Sequence, residues 1–240
     1  MKVLKSAVKR RFQRMRRRRK VGRAYDMALE IANRLSPGAS VLDVGCGNGF
    51  IAYHLKGILN SYVFGIDVGD IPAAPIEYLS YDGRHFPVPD QTFDAVLLCY
   101  VLHHAQDARL VLDEVRRVLR DDGLAIVYED NPGDRWDRIV CWSHNKQWQR
   151  RTGPCMFRLR AGWRKIFDTA GFEIVTERKL SRWRNIAHPV SRSFFVIKPG
   201  QSTAQRRVEL LSNARTFDSD FVRAAFRGRP VAKILLNNLS

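Results

Sequence analysis

The chain has 240 residues, of which 45% are hydrophobic and 27% charged, a balance typical of a soluble globular protein with a substantial core. It contains no apolar run near the ~20 residues that a membrane-spanning helix needs, and no apolar N-terminal core of a secretory signal. The four cysteines (Cys46, Cys99, Cys141 and Cys155) include no Cys-x-x-Cys pair. This usage indicates a reducing compartment, so we expect a cytoplasmic protein without a disulfide framework.

The net charge of +17 is unevenly distributed along the chain. Residues 1–23 contain 12 Lys or Arg and no acid, residues 24–134 contain 17 acids against 7 bases, and residues 135–198 contain 15 bases against 4 acids. Basic blocks of this size indicate an anionic partner. We therefore divide the chain into a basic amphipathic arm over residues 1–23, a central domain over 24–199, and a helical tail of unassigned role over 200–240.

Strands and helices alternate along the central domain. Helices are predicted over residues 1–20, 25–35, 49–59, 107–120 and 161–171, and strands over 40–45, 62–68, 77–83, 93–99, 124–130, 173–180 and 191–199, with a turn at 121–123. Residues 131–160 are interpreted as irregular, basic and rich in Trp. The alternation predicts an α/β fold, a Rossmann-like doubly wound sheet with helices on both faces.

The segment VLDVGCGNGF, residues 41–50, joins the first predicted strand to a helix through a glycine turn. Position 50 is Phe where the dinucleotide-binding fingerprint has its third glycine, and no Gly-Lys-Ser/Thr follows, which excludes a phosphate-binding P-loop. Asp43 stands two residues before the first glycine, where a carboxylate would repel a pyrophosphate. This carboxylate instead favours a ligand that carries an ammonium group.

Two further carboxylates follow neighbouring strands. Asp67 ends the second predicted strand, the usual place for an acid that accepts hydrogen bonds from ribose hydroxyls. Asp82 follows the third strand, where it can accept from an exocyclic amine. Ammonium, ribose and adenine amine together describe S-adenosylmethionine (AdoMet), which we predict as the cofactor.

The residues that carry these features also resemble a known family. VLDVGCGNG, GID, YDGRHFPVPDQTFDAVLLCYVLHHAQDARLVLDEVRRVLRDDGLAIVYED and FDTAGFEIV follow one another in the order and spacing of class I AdoMet-dependent methyltransferases, in the type 11 branch that includes ubiquinone and menaquinone C-methyltransferases. The resemblance implies an AdoMet-dependent methyltransferase with a seven-stranded sheet whose last strand is antiparallel, and SRSFFVIKP is the candidate for that strand.

The resemblance also implies a set of cofactor-binding residues. The glycine turn would hold the methionine end of the cofactor through Asp43, Gly45, Cys46, Gly47 and Asn48. Asp67, at the end of the second strand, would contact the ribose, and Val68 would flank the adenine. Asp82 and Gly83, in the turn after the third strand, would contact the adenine edge. Cys99 and Tyr100, at the end of the fourth strand, would lie beside the reactive methyl group. The short Pro-rich segment VGDIPAAPIEYL departs from the acidic helix cap that the family often has after the second strand.

Methyl transfer is an in-line displacement, so a base is needed only where the acceptor must lose a proton. The catalytic candidates are His104, which follows the fourth strand, and Glu129, which ends the fifth. Both are predicted at the rim of the crevice. The alternatives are a histidine that packs or caps a helix and a solvated loop carboxylate. The candidate substrate-binding residues are Tyr25, Tyr100, His103, His104 and Asp130. Cys141, His144 and Cys155 form an incomplete zinc pattern, so no metal is predicted.

The acceptor and the basic regions leave several hypotheses open. We favour a small-molecule or lipid, quinone-like acceptor, with residues 131–165 as a substrate lid and residues 1–20 as an interfacial helix that binds an anionic membrane peripherally. RNA bound through the basic regions is the second hypothesis. A solvated basic arm without a partner is the third, and a non-catalytic AdoMet-binding module is the alternative to an enzyme.

Overall fold

The computed structural model describes residues 21–69 and 71–200. Seven strands form its sheet: Val41–Val44 (β1), Val63–Asp67 (β2), Glu77–Ser80 (β3), Phe93–Cys99 (β4), Leu119–Asp130 (β5), Phe172–Leu180 (β6) and Arg192–Pro199 (β7). Their order is β3-β2-β1-β4-β5-β7-β6. β1 to β5 pair in parallel, whereas β7 is antiparallel to both β5 and β6. The predicted Rossmann-like sheet with an antiparallel last strand is confirmed.

Helices cover both faces of this sheet. They span residues 21–32 (α1), Phe50–Leu59 (α2), Ala108–Val118 (α3), Arg135–Thr152 (α4) and Arg160–Thr169 (α5), with a short 3-10 helix at Arg182–Arg184. Within the described residues, the helices are too short or too polar to cross a bilayer. The basic helix predicted over residues 1–20 and the tail from residue 201 onward lie outside the described residues.

The central strand β4 shows why the sheet is covered on both faces. Successive residues of a strand point to opposite faces, and Ala95, Val96, Leu97 and Leu98 are all fully buried. Val96 and Leu98 pack in the layer that contains α3 and α5, and Ala95 and Leu97 pack in the layer that contains α1 and α2. At about 1.5–3 kcal/mol for each buried Val or Leu side chain, these two layers fix the position of β4 and therefore of the polar segment that follows it.

The structure corrects two predictions of secondary structure. Residues 131–160, interpreted as irregular, contain the 18-residue helix α4, which begins after Asp134, whose side chain accepts a hydrogen bond from Asp137 N. The turn predicted at residues 121–123 lies within β5, which begins directly after α3. The pairing of β4 with β5 shifts its register between Phe93 and Ala95, and this irregularity accommodates the Asp-Asp-Gly sequence.

Candidate functional site

The turn after β1 is built from glycines that no other residue replaces easily. Gly45, Gly47 and Gly49 all have positive φ angles, of 65°, 54° and 73°. A Cβ atom at Gly45 would lie 2.6 Å from Val101 Cγ2, so a side chain there would displace the segment after β4. The turn is anchored to the neighbouring strand, because Gly45 N and Cys46 N both donate to Ile66 O.

Asp43 presents a buried carboxylate at the base of this turn. It lies in β1 opposite Gly65 of β2 and Leu97 of β4, and its Oδ2 has no hydrogen-bond partner among the described residues. Burial, reinforced by the charge of Asp67, raises the pKa of Asp43 to about 7. A buried acceptor without a donor is destabilising unless a ligand supplies one. The ammonium group of AdoMet fits this requirement.

Asp67, at the end of β2, connects the glycine turn to the segment that follows β2. Its Oδ2 accepts from Gly47 N at 2.7 Å and its Oδ1 accepts from Gly69 N at 2.7 Å. The carboxylate therefore organises the two loops between which the cofactor would lie. Its predicted contact with the ribose stays a prediction.

The residues predicted to flank the adenine lie together on an exposed turn. A Cβ atom at Gly83 would meet Val68 Cγ1 at 3.3 Å, so the turn after β3 lies against the end of β2. Asp82 Oδ1 accepts from the backbone N–H groups of His85 and Arg84, which hold the pKa of its carboxyl below the ordinary value. The adenine contact of this turn stays a prediction as well.

A cavity of about 450 Å³ adjoins the glycine turn. Cys46 and Asn48 line it from the turn, and Tyr100 lines it from the end of β4. Tyr100 has a φ of 65°, a strained conformation for a residue with a side chain, and its backbone N–H donates to Tyr128 O at 2.8 Å. Strain of this kind, held beside a cavity, is typical of a binding site.

Sequence reasoning did not identify the cationic lining of this cavity. Its arginines are Arg23 on α1, Arg184 of the 3-10 helix and Arg192 of β7. The Arg192 guanidinium carbon lies 5.6 Å from the centroid of the Tyr100 ring. Arg23 lies far along the chain from Arg184 and Arg192, and no local sequence signal connects it with them.

The predicted residues Tyr25, His103, His104, Glu129 and Asp130 do not line this cavity, although Ala24 and Asp26 do. Tyr25 is 45% exposed and its ring forms a T-shaped contact with the His54 ring. Glu129 and Asp130 were predicted at the rim of the crevice, but both are buried, because β7 pairs alongside them and α4 follows. The catalytic and substrate-binding roles of these five residues stay predictions.

His103, which follows β4, and Glu129, which lies in β5, form a fully buried pair. His103 Nδ1 lies 2.5 Å from Glu129 Oε2, and Glu129 Oε1 accepts from Leu102 N at 2.7 Å. Burial lowers the pKa of His103, but the charge and hydrogen bond of Glu129 outweigh this effect and the net shift is upward. The predicted base His104 is different, because burial lowers its pKa to about 3 and leaves it neutral near pH 7.

The sheet order, the glycine turn with its buried carboxylate, and Asp67 define a class I AdoMet-dependent methyltransferase domain. Residues 42–127 match the family model described as methyltransferase domain, type 11, and belong to that family. AdoMet is therefore the cofactor of this domain, and the predicted family and cofactor are confirmed.

Similar proteins act on different acceptors. The chain is 31% identical over 163 residues to sterol 24-C-methyltransferase ERG6B of Gibberella zeae. The aligned region covers 61% of this chain and 43% of the relative. It is 32% identical to the tRNA U34 carboxymethyltransferase of Hahella chejuensis over 39% of this chain and 33% of the relative. A SAM-dependent methyltransferase from Aquifex aeolicus shares the fold, with a TM-score of 0.53 at 18% identity over 72% of this chain and 88% of that protein. The chain thus spans less than half of either curated relative.

Proposed function

We propose that this protein transfers the methyl group of AdoMet to a small-molecule or lipid acceptor. The observation that supports the proposal is the cavity that Tyr100, Cys46 and Asn48 line together, because it opens directly beside the cofactor turn. AdoMet supplies an activated methyl group, so the chain mainly has to hold donor and acceptor in line. In this proposal Asp43 binds the ammonium group and Tyr100 separates the cofactor turn from the acceptor.

The lining of the cavity favours an acceptor with an apolar body and a polar group. Met27, Phe50 and Leu180 contribute apolar surface, Arg23 and Asp26 contribute charges of opposite sign, and Arg192 is paired with Asp130. A cavity of about 450 Å³ lies in the range of small-molecule sites. The sterol methyltransferase relative supports a hydrophobic acceptor of this kind.

Helix α4 supports the further proposal that the enzyme works at an anionic membrane surface. Trp136, Ile139 and Trp142 follow one another at intervals of three residues and are 50%, 59% and 58% exposed. Arg135 and Arg138, both exposed, flank them. Aromatic and apolar side chains with basic neighbours are typical of helices that lie in the lipid headgroup region.

The test is transfer of a labelled methyl group from AdoMet into a cell extract, which is then separated into lipids, small polar molecules and RNA. We expect label in the lipid or small-molecule fraction and none with Asp43→Asn. Label confined to RNA would replace this proposal with an RNA methyltransferase, which the tRNA-modifying relative makes the second hypothesis. Normal AdoMet binding without label in any fraction would indicate a non-catalytic module.

A further inference from the structure

Four histidines lie close together near the end of β4, and none of them lines the cavity. His103 and His104 follow β4, His144 lies on α4, and His188 lies before β7. The His104 and His144 ring centroids are 5.2 Å apart, and those of His103 and His104 are 4.2 Å apart. One ligand nitrogen from each of His103, His104 and His144 lies within 4.8 Å of the others.

His103 contributes a nitrogen that the protein itself does not satisfy. Its Nδ1 is occupied by Glu129, whereas its fully buried Nε2 has no hydrogen-bond partner among the described residues. The nitrogen is unsatisfied whether it carries a proton or a lone pair. A histidine with one nitrogen on a carboxylate and the other directed to a metal is the usual arrangement in zinc proteins.

His104 and His144 bring their Nε2 atoms to 3.2 Å from each other. Two ligands of a tetrahedral zinc ion, each at about 2.0–2.1 Å, are separated by about 3.3 Å. The observed separation, at which the two rings also form a hydrogen bond, is close to the one that zinc would require.

The neighbours of His104 favour a lone pair on the nitrogen that faces His144. Thr152 Oγ1 donates to Trp148 O at 3.4 Å and lies 3.1 Å from His104 Nδ1, so it can accept the Nδ1 proton and leave Nε2 with its lone pair.

A second group of potential ligands, Asp130, His144 and His188, is a weaker candidate. Asp130 already bonds His188 Nε2 at 2.7 Å, and Arg192 Nε lies 3.2 Å from its other oxygen. The arginine neutralises the carboxylate and would repel a divalent cation. The three-histidine group instead has the Glu129 carboxylate at His103.

We propose that His103, His104 and His144 bind one zinc ion, which joins α4 to the turn after β4. Imidazole ligands suit zinc, and three protein ligands leave its fourth position open. Glu129 and Thr152 are positioning residues in this site, since each holds the second nitrogen of a ligand. The site goes beyond the methyl-transfer proposal and does not depend on it.

The test is zinc titration of the full chain, stripped with a chelator, against a chromophoric competitor. We expect one zinc per chain and at least a hundredfold weaker binding in both His104→Ala and His144→Ala. The control is His85→Ala, because its exposed side chain lies on the surface, and we expect unchanged affinity. Equal zinc affinity in the wild type and both ligand variants would overturn the proposal, as would a wild type that binds no zinc.

Two measurements keep the test decisive if a ligand variant fails to fold. Thr152→Val retains the shape of the side chain but removes the partner of His104 Nδ1, and we expect about tenfold weaker zinc binding. Cobalt in place of zinc should give the visible bands of a four-coordinate site without a thiolate charge-transfer band. Such a band would assign the metal to Cys141 or Cys155 and reject the three-histidine site. AdoMet titration of the same samples reports on the methyltransferase proposal separately.

Discussion

At the scale of single residues, Asp43 combines a function with a cost in stability. Its pKa of about 7 lies above the ordinary value of about 3.9, so the unliganded folded state binds the proton more tightly than the unfolded state does. Below about pH 4 the carboxyl is protonated in both states and there is no penalty. The penalty grows as the pH rises and is complete above about pH 7.

We therefore predict opposite effects of Asp43→Asn on binding and stability. The variant should lose AdoMet affinity by at least about thirtyfold, since the ammonium group loses its counter-charge, equivalent to about 2 kcal/mol. Without cofactor it should unfold about 5 °C higher than the wild type near pH 8 and at nearly the same temperature near pH 4. Calorimetric titration and thermal unfolding measure the two effects. The same stability difference at both pH values would contradict the assigned pKa.

Asp67 gives a second prediction, because its two oxygens hold Gly47 N and Gly69 N. Asp67→Ala should weaken AdoMet binding about a hundredfold and lower the free energy of unfolding by only about 1 kcal/mol, since these hydrogen bonds are exposed. Asp67→Asn keeps one acceptor oxygen, so its AdoMet affinity should fall between those of the wild type and the Ala variant. If AdoMet binds the Ala variant as tightly as the wild type, Asp67 does not contact the cofactor.

The residues of the glycine turn could be predicted from the sequence, whereas the burial of Glu129 could not, and the difference has a physical reason. Asp43 and Gly45 act through local geometry, which is determined by neighbours in the chain and by the strand that precedes them. The burial of Glu129 depends on packing against β7 and the segment before it, and a single sequence contains no direct signal for such contacts.

At the scale of secondary-structure elements, α4 was missed because most of its surface stays in water. Its buried residues Asp137 and Cys141 are not the regular apolar positions that predict a helix. The helix is instead fixed by polar contacts, such as Ser191 N with Asp137 Oδ1 at 2.9 Å and Trp136 Nε1 with Pro189 O at 2.9 Å. β5 shows the opposite case, since its apolar second half was predicted and its polar first half was not.

The exposed side of α4 gives a prediction at this scale. Ile139→Ser combined with Trp142→Ser should reduce retention on anionic phospholipid vesicles about tenfold, since each change removes apolar area that would enter the headgroup region. The unfolding temperature should stay within about 2 °C, because both side chains are exposed. Vesicle flotation makes the measurement, with Val175→Ser as the control, since Val175 is equally exposed on β6. An equal loss in the control would remove α4 from the membrane contact.

At the scale of the whole molecule, the grouping of the cofactor motifs could be predicted because each motif lies at the carboxyl end of a strand. In an open α/β sheet these ends form one edge, so Asp43, Asp67 and Tyr100 had to lie near one another. The cavity arginines and the histidine group could not be predicted. Arg23 with Arg192, and His104 with His144, come together only through long-range packing.

The distribution of charge over the whole chain gives the last prediction. Residues 1–20 contain basic residues and no acid, and each base near an anionic surface contributes about 1 kcal/mol, so their removal should weaken binding to anionic vesicles more than tenfold. Retention of the full chain should fall as salt rises, because the Debye length is only about 10 Å at 0.1 M. AdoMet affinity should not change, since Asp43 and Asp67 belong to the central domain. Flotation across a salt series, with uncharged vesicles as the control, tests this. Equal retention on uncharged vesicles would show that charge does not drive the contact, and displacement by RNA at equal salt would favour the nucleic-acid hypothesis.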